Sequence, residues 1–399
     1  MTREFFINAD FDLSLRSGRD PSAEDARARQ AAELPIHLLL LGFGGDSVIV
    51  PEVPPEEFLT YLERVGLGRP AVSVQPSIRH HSRFSPFGWN READRLNRSY
   101  REPAPHPPLE VVRRVNGRRF AAAIERECFD DGSLLGEFTT VDALESCLGA
   151  RPSDEKGWIL KAEHGNAGLG NRRLRSRRLT PEDREVTRRL LVEDDCVLLE
   201  PWRRRLLDLA AVFDVDETGE VRGFDLHRVV NTADGAFIGA VFEKKPPALE
   251  RWRPIMRRAS GEVARRLADA CYFGPVCLDA FVWDDGGEHR LRPLVDLNAR
   301  LHVSTSALRL WRSWGGDTVV YWRLFSARKL RLPGGYEELE AALGADAFDP
   351  GTRCGVLLTS PLRLGERERP PGRFGVLLAG RSLFEVEAMD RRLRERFER

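Results

Sequence analysis

Cys277-Leu-Asp279-Ala-Phe281 and Val295-Asp296-Leu-Asn298-Ala-Arg300 are the stretches that decide how this chain reads. Successive side chains of a strand alternate faces, so Asp296, Asn298 and Arg300 share one face. Asp279 lies in the preceding apolar segment, Val276–Trp283, which the turn Asp284-Asp-Gly-Gly287 joins to Leu291–Arg300 as a hairpin. Across such a ladder Asp279 reaches Asp296. The flanking Val276, Leu278, Phe281, Val282, Leu294, Val295 and Leu297 bury the hairpin. An acid inside such a run needs a partner, because an unpaired buried charge is expensive. Two carboxylates and an amide oxygen on one face form an all-oxygen site suited to Mg²⁺. The alternative, an exposed polar sheet face, does not fit so apolar a frame.

Upstream, Trp158-Ile-Leu-Lys161 reads as a short strand, followed by the glycine-rich Glu163-His-Gly-Asn-Ala-Gly168-Leu-Gly170. A lysine ending an apolar strand can place its ammonium on a phosphate while loop N–H groups cradle the oxygens. No Gly-Lys-Ser/Thr opens a helix here, so this is not a P-loop. Thr180-Pro-Glu-Asp183 carries the cap, first-turn proline and early acids of a helix start. Cys196-Val-Leu-Leu-Glu200-Pro-Trp202 is a buried strand leaving through an acid, with Asp208 further on. Strands follow at Leu209–Val215, Val221–Val230 and Ala236–Glu243, then a long helix at Leu249–Cys271.

In this order the pieces resemble the ATP-grasp superfamily, over roughly Arg118–Ala307. The resemblance implies an ATP-grasp fold of mixed α/β and α+β class. It has an N-terminal α/β domain of the pre-ATP-grasp kind and two α+β subdomains enclosing ATP. It also assigns the site residues. Lys161, with Arg118 in place of the family's earlier lysine, would bind ATP phosphates, Gly168 and Gly170 would shape a lid, and Glu200 and Trp202 would lie at the adenine; Arg228, Lys244 and Lys245 either reach the phosphates as well or are solvated strand-end positions. Asp208 would bind ribose, and Asp279, Asp296 and Asn298 would hold two Mg²⁺ ions, with Mn²⁺ as an alternative. The signature ends Asn298-Ala-Arg300 where many members read Asn-x-Pro-Gly. The Asn-x-Arg form is similar to the biotin carboxylase branch and some peptide ligases, which implies that Arg300 faces a reacting acyl phosphate. One departure stands out: the earlier lysine of the family is replaced by Asn116-Gly-Arg118-Arg119, a planar fork in place of a point charge.

What the resemblance implies is a ligase joining a carboxylate to an amine, such as an amino acid or peptide, with release of ADP. A small-molecule kinase on the same nucleotide site and a non-catalytic nucleotide-binding protein are the alternatives. Lys161, Asp279, Asp296 and Asn298 count against the second. The oligomeric state stays open, a homodimer included.

The rest of the chain bounds these readings. Its 399 residues balance 62 basic against 62 acidic side chains, and only five of the basic residues are lysine. Zero net charge argues against a dedicated nucleic-acid binder, and the Arg172–Arg178 run reads as a solvated face. No long uncharged apolar run predicts a membrane span, and the N-terminus lacks a signal-peptide layout, so a cytoplasmic chain is expected. Six scattered cysteines without a C-x-x-C pair read as reduced thiols.

Four units are expected: 1–112, 113–200, 201–310 and a C-terminal extension, 311–399, packed on the core. The region 20–33 is expected to be loose or helical. Ile36–Leu41 reads as a buried parallel strand before a glycine turn, and Pro54–Val65 as an amphipathic helix. Ser73–Pro108 reads as a long loop, Val111–Glu127 as one helix and Leu310–Phe325 as a Trp-rich helix. In the substrate region, Arg79, His80, His81 and Arg83 can recognise a carboxylate or simply belong to a polar surface loop, and His302, Ser304 and Thr305 are candidates for supplying substrate contacts.

Overall fold

A computed structural model describes residues 2–16, 34–76, 82–129, 134–152, 157–166, 169–233, 235–364 and 370–398. The stretch 20–33, Gly168, Arg79, His80 and His81 therefore lie outside the described residues. Three sheets organise the rest. The first is parallel: β1 (Thr2–Phe6), β2 (Ser47–Ile49), β3 (Ala71–Ser73) and β4 (Ser82–Pro86), in the order β3-β2-β1-β4. The second is antiparallel and holds β5 (Gly136–Phe138), β6 (Trp158–Asn166), β7 (Leu169–Leu174) and β8 (Val197–Pro201), in the order β5-β8-β6-β7.

The third sheet has eight antiparallel strands. They are β9 (Arg205–Val215), β10 (Val221–Asn231), β11 (Phe237–Phe242), β12 (Gly274–Asp285), β13 (Glu288–Asn298), β14 (Val319–Ser326), β15 (Gly355–Leu358) and β16 (Arg373–Gly380). Their order is β13-β12-β9-β10-β11-β14-β16-β15. Residues 311–399, expected as an extension packed on the core, thus contribute three strands to the sheet itself. One continuous core joins the first and third sheets, while the second sheet keeps its own around Trp158, Leu160 and Leu199. The architecture is the mixed α/β and α+β class expected. Among the described residues no helix is long and apolar enough to cross a membrane.

Several local expectations need correction. The run Ile36–Leu41 is not a strand; it ends in a 3₁₀ turn, Leu39–Gly42, and the parallel strand is Ser47–Ile49. Leu38 to Leu41 are all buried, and a run buried on every side has no period to separate helix from strand. Ser73–Pro108 is not a long loop, since it holds β4 and a helix at Arg91–Asn97 whose Asn90 cap accepts from the Ala93 N–H. Leu310–Phe325 divides into a helix, Thr305–Ser313, and β14, because Gly315 and Gly316 take positive φ between them. The long helix after Leu249 begins afresh at Arg253–Asp269, with Pro254 in its first turn.

The helix expected over Val111–Glu127 is two, Leu109–Val115 and Arg118–Cys128, broken at Asn116-Gly117. A Cβ on Gly117 would fall 2.3 Å from Glu163 Oε1, so the break lets this backbone press against β6. It also turns Asn116 and Arg118 toward the third sheet. The capped helix at Thr180 stands as expected, Pro181–Asp194 with a full capping box.

Candidate active site

A cleft of about 150 Å³ opens between β6 of the second sheet and the face of β9, β12 and β13. Its floor is the hairpin. Asp279 and Asp296 are register partners on β12 and β13, with Cys277 opposite Asn298. The register shifts between Asp279 and Phe281, beside Pro293, where a proline cannot donate to the ladder.

The polar side chains on the cleft floor hold one another. Asn298 donates from Nδ2 to Asp279 Oδ2 at 2.9 Å and accepts on Oδ1 from Arg300 Nη2 at 3.1 Å. Arg300 also donates from Nε to Asp12 Oδ1 at 2.7 Å. Arg118 donates from Nε to Asp296 Oδ1 at 2.8 Å and from Nη1 to the Ala162 carbonyl at 2.6 Å. Lys161, on β6, reaches the Val295 carbonyl at 3.4 Å and pairs with Glu200 at 3.0 Å. Asn116 ties the helix break to the end of β13, accepting from the Ala299 N–H at 2.9 Å.

These contacts divide the two aspartates. Burial raises the Asp279 carboxyl to about 7, the Asp296 charge adds to the rise, and Arg300 opposes it. Burial also works against ionised Asp296, but Arg118 and then Lys161 overcome it and hold that carboxyl well below the usual range. The pair is thus a site where added positive charge is favourable. Its donor set of two carboxylates and an amide oxygen fits a hard divalent cation. Asp12 Oδ2, buried at the rim without a hydrogen-bond partner, adds a further oxygen.

His302 lines the same cleft. The Ser304 N–H donates to its Nδ1 at 3.3 Å, and Ser304 Oγ lies 2.6 Å from the same nitrogen. That assigns the ring proton to Nε2. Burial, then His227 and Arg300, hold the His302 pKa well below its ordinary value, so the ring is neutral.

No family model and no curated protein matches the sequence. Solved structures do match. The L-amino acid ligase from Bacillus licheniformis aligns over 100% of this chain and 98% of its own, with TM-score 0.57 at 13% identity. The N5-carboxyaminoimidazole synthase from Aspergillus clavatus, in complex with ADP and an aminoimidazole ribonucleotide, covers 99% of this chain and 98% of its own at TM-score 0.53 and 12% identity. A biotin carboxylase from Campylobacter jejuni, in complex with an ATP-type ligand, covers 100% and 92% at TM-score 0.53 and 12% identity. The chain has the ATP-grasp fold.

Of the residues that the ATP-grasp resemblance singled out, Arg118, Lys161, Asp208, Asp279, Asp296, Asn298 and Arg300 line one cleft. The others do not. Glu200 is buried between Lys161 and Arg292, which drive its carboxyl down to about 2 against the effect of burial. Trp202 carries the Arg173 guanidinium on its ring face at 4.1 Å. Arg228 faces Glu387 at 3.4 Å. Gly170 takes φ +84° beside Ala162, where a Cβ would crowd the Ala162 methyl. Arg119, the other candidate for the missing lysine, packs on Glu163 at 3.4 Å. Two lining residues were not foreseen in these roles. Asp12 had no local signal, being an ordinary acid 288 positions from Arg300. Asn116 was visible only as part of the Asn-Gly break.

Proposed function

We propose that this chain is an ATP-dependent ligase that activates a carboxylate as an acyl phosphate and joins it to an amine, such as an amino acid or peptide. The observation that carries this reading is Arg300, hydrogen-bonded to Asn298 beside the Asp279–Asp296 pair in a cleft that also holds Lys161 and Arg118. Support comes from the fold shared with ligases whose names include an L-amino acid ligase.

In this reading the substrate carboxylate oxygen attacks the γ-phosphorus as the bond to the ADP oxygen breaks. The amine then attacks the acyl carbon, the C–N bond forms, phosphate leaves with the C–O electron pair, and the amine proton passes to solvent. Arg118 and Lys161 balance triphosphate charge in this reading, and Asp208 is the ribose partner. Asp279, Asp296 and Asn298 would hold Mg²⁺, which when bound would neutralise phosphate oxygens. Arg300 holds the negative charge of the acyl phosphate, a preorganised role because its guanidinium is already fixed by Asp12 and Asn298. The buried Glu200 acts through Lys161, setting the position of its ammonium. The first unit, 1–112, supplies substrate groups.

The test is ADP formation measured against amino acids and small peptides, singly and in pairs, with MgATP. The reading expects ADP release that needs an acid and an amine together. A stable phosphorylated product formed from one substrate alone would overturn it in favour of a phosphotransferase.

A further inference from the structure

Arg300 stands in the wall between two cavities. Beyond it lies a second pocket, bounded by β4, the start of β1 and the segment Tyr272–Pro275 that leads into β12. β4 is the edge strand of the first sheet, so this side is not covered by another strand.

Arg3 and Arg83 are register partners on β1 and β4, and both line this pocket. Like charges directly opposite on paired strands are destabilising. Neither guanidinium makes an ion pair among the described residues, whereas Arg118, Arg292 and Arg300 each have a carboxylate partner. Both side chains are exposed at the pocket mouth, and the walls between them and Arg300 are the rings of Phe84, Phe87 and Tyr272 and the carboxyl of Asp214, whose ionisation burial disfavours and Arg3 and Arg83 favour. The Arg300 guanidinium lies over the Phe87 ring at 4.9 Å. Phe87 follows Arg83 by four strand positions, which is about 13 Å at the usual strand rise. The pocket therefore runs from a cation at the reacting end, past aromatic faces, to two cations that face the single carboxylate of Asp214, an end with one positive charge in excess.

We propose that this second pocket receives the far end of the carboxylate substrate, and that this end carries its own anionic group, bound by Arg3 and Arg83. The inference rests on the ligase reading for which end reacts. The substrate class it names is an elongated dianion, its two anionic groups about 1 nm apart after allowing for the reach of the arginine side chains. A single small amino acid is too short to satisfy both ends.

Straight-chain α,ω-dicarboxylates measure the distance directly. Calorimetric titration of the full chain with the four-carbon and ten-carbon diacids, each against its own monoamide, is the experiment, with MgATP titrated separately. The ten-carbon diacid is expected to bind at least about tenfold more tightly than its monoamide, the effect of one charge-assisted contact pair. The four-carbon diacid is expected to show no such preference. The double variant Arg3→Gln, Arg83→Gln is expected to lose the ten-carbon preference, and a thermal melt checks its folding. Equal binding of the ten-carbon diacid and its monoamide, or a preference that survives in the double variant, overturns the inference. MgATP binding without a diacid preference rejects the inference and spares the ligase reading. A diacid preference without MgATP binding rejects the ligase reading instead.

Discussion

Asp279 and Asp296 face each other across one rung of the β12–β13 ladder, yet their surroundings push their acidities in opposite directions. Asp296 has Arg118 at 2.8 Å and stays ionised, while Asp279 has the neutral Asn298 amide and the repulsion of Asp296. A hairpin otherwise buried in apolar side chains thus stores an acidic pair that its own cations only half compensate.

Asp296→Ala removes the charge that anchors Arg118 and half of the carboxylate pair. If the proposed roles hold, ADP formation falls by at least about a hundredfold, as it does when a preorganised charge partner is lost. MgATP affinity measured by calorimetry falls with it. Unchanged turnover and unchanged MgATP binding in a variant that melts normally would remove this pair from the site.

The four-charge cluster behind the cleft makes a stability prediction. Arg292 bonds Glu125 through Nε at 2.6 Å and Glu200 through Nη1 at 2.6 Å, and Lys161 completes the set, all buried. Arg292→Met leaves two buried carboxylates with one cation and is expected to cost about 3–5 kcal/mol. The same cluster is acid-sensitive. Glu200 is held at about 2, below its ordinary 4.5, so its contribution is complete above the ordinary value and is lost as pH falls toward 2. Urea denaturation at pH 5.5 and pH 3 checks both points, with the wild type expected to weaken and Arg292→Met to weaken less.

Asn116 yields a kinetic prediction. Its side chain bonds the Ala299 backbone on one side and the Val112 carbonyl at 2.8 Å on the other. Arg118 and Arg300 thereby hang from a single amide. Asn116→Ala is expected to cost about 1–3 kcal/mol of stability through the unpaired Ala299 N–H. It is also expected to raise KM for ATP more than it lowers kcat, since it loosens cations without removing one. Steady-state kinetics with varied ATP separates the two.

What could be read from the chain and what could not follows from the range of each interaction. The hairpin was legible because alternation and a short glycine turn are local, and because acids inside an apolar run are conspicuous. Lys161 stood out in a chain that uses arginine almost everywhere. Arg292 did not, although it lies in the same hairpin, because the register shift beside Pro293 breaks the simple alternation that would assign its face. Its partners Glu125 and Glu200 lie 167 and 92 positions away. Asp12 was invisible for the same reason. Around Ile36–Leu41 burial on all sides erased the periodicity, and at Leu310–Phe325 two glycines outweighed the apolar pattern that suggested one helix.

Buried histidines give the last prediction. His37 is fully enclosed against Trp322, with rings 6.3 Å apart, and its Nδ1 has no hydrogen-bond partner. Burial, aided by Arg373, lowers its pKa from 6.5 to about 4, and burial lowers that of His227 to about 3. Between those values and 6.5 the unfolded chain takes up protons that the folded chain refuses. The neutral rings therefore contribute fully above pH 6.5, and the contribution shrinks as pH falls through 6.5 toward 4. For His37 the full span is about 3 kcal/mol. His37→Leu removes one of these titrations and leaves His227 in place. Chemical denaturation between pH 7 and pH 4 should show wild type losing about 3 kcal/mol more than His37→Leu. Parallel stability curves for the two proteins would show that His37 is protonated alike in both states, and the account of its burial would fail.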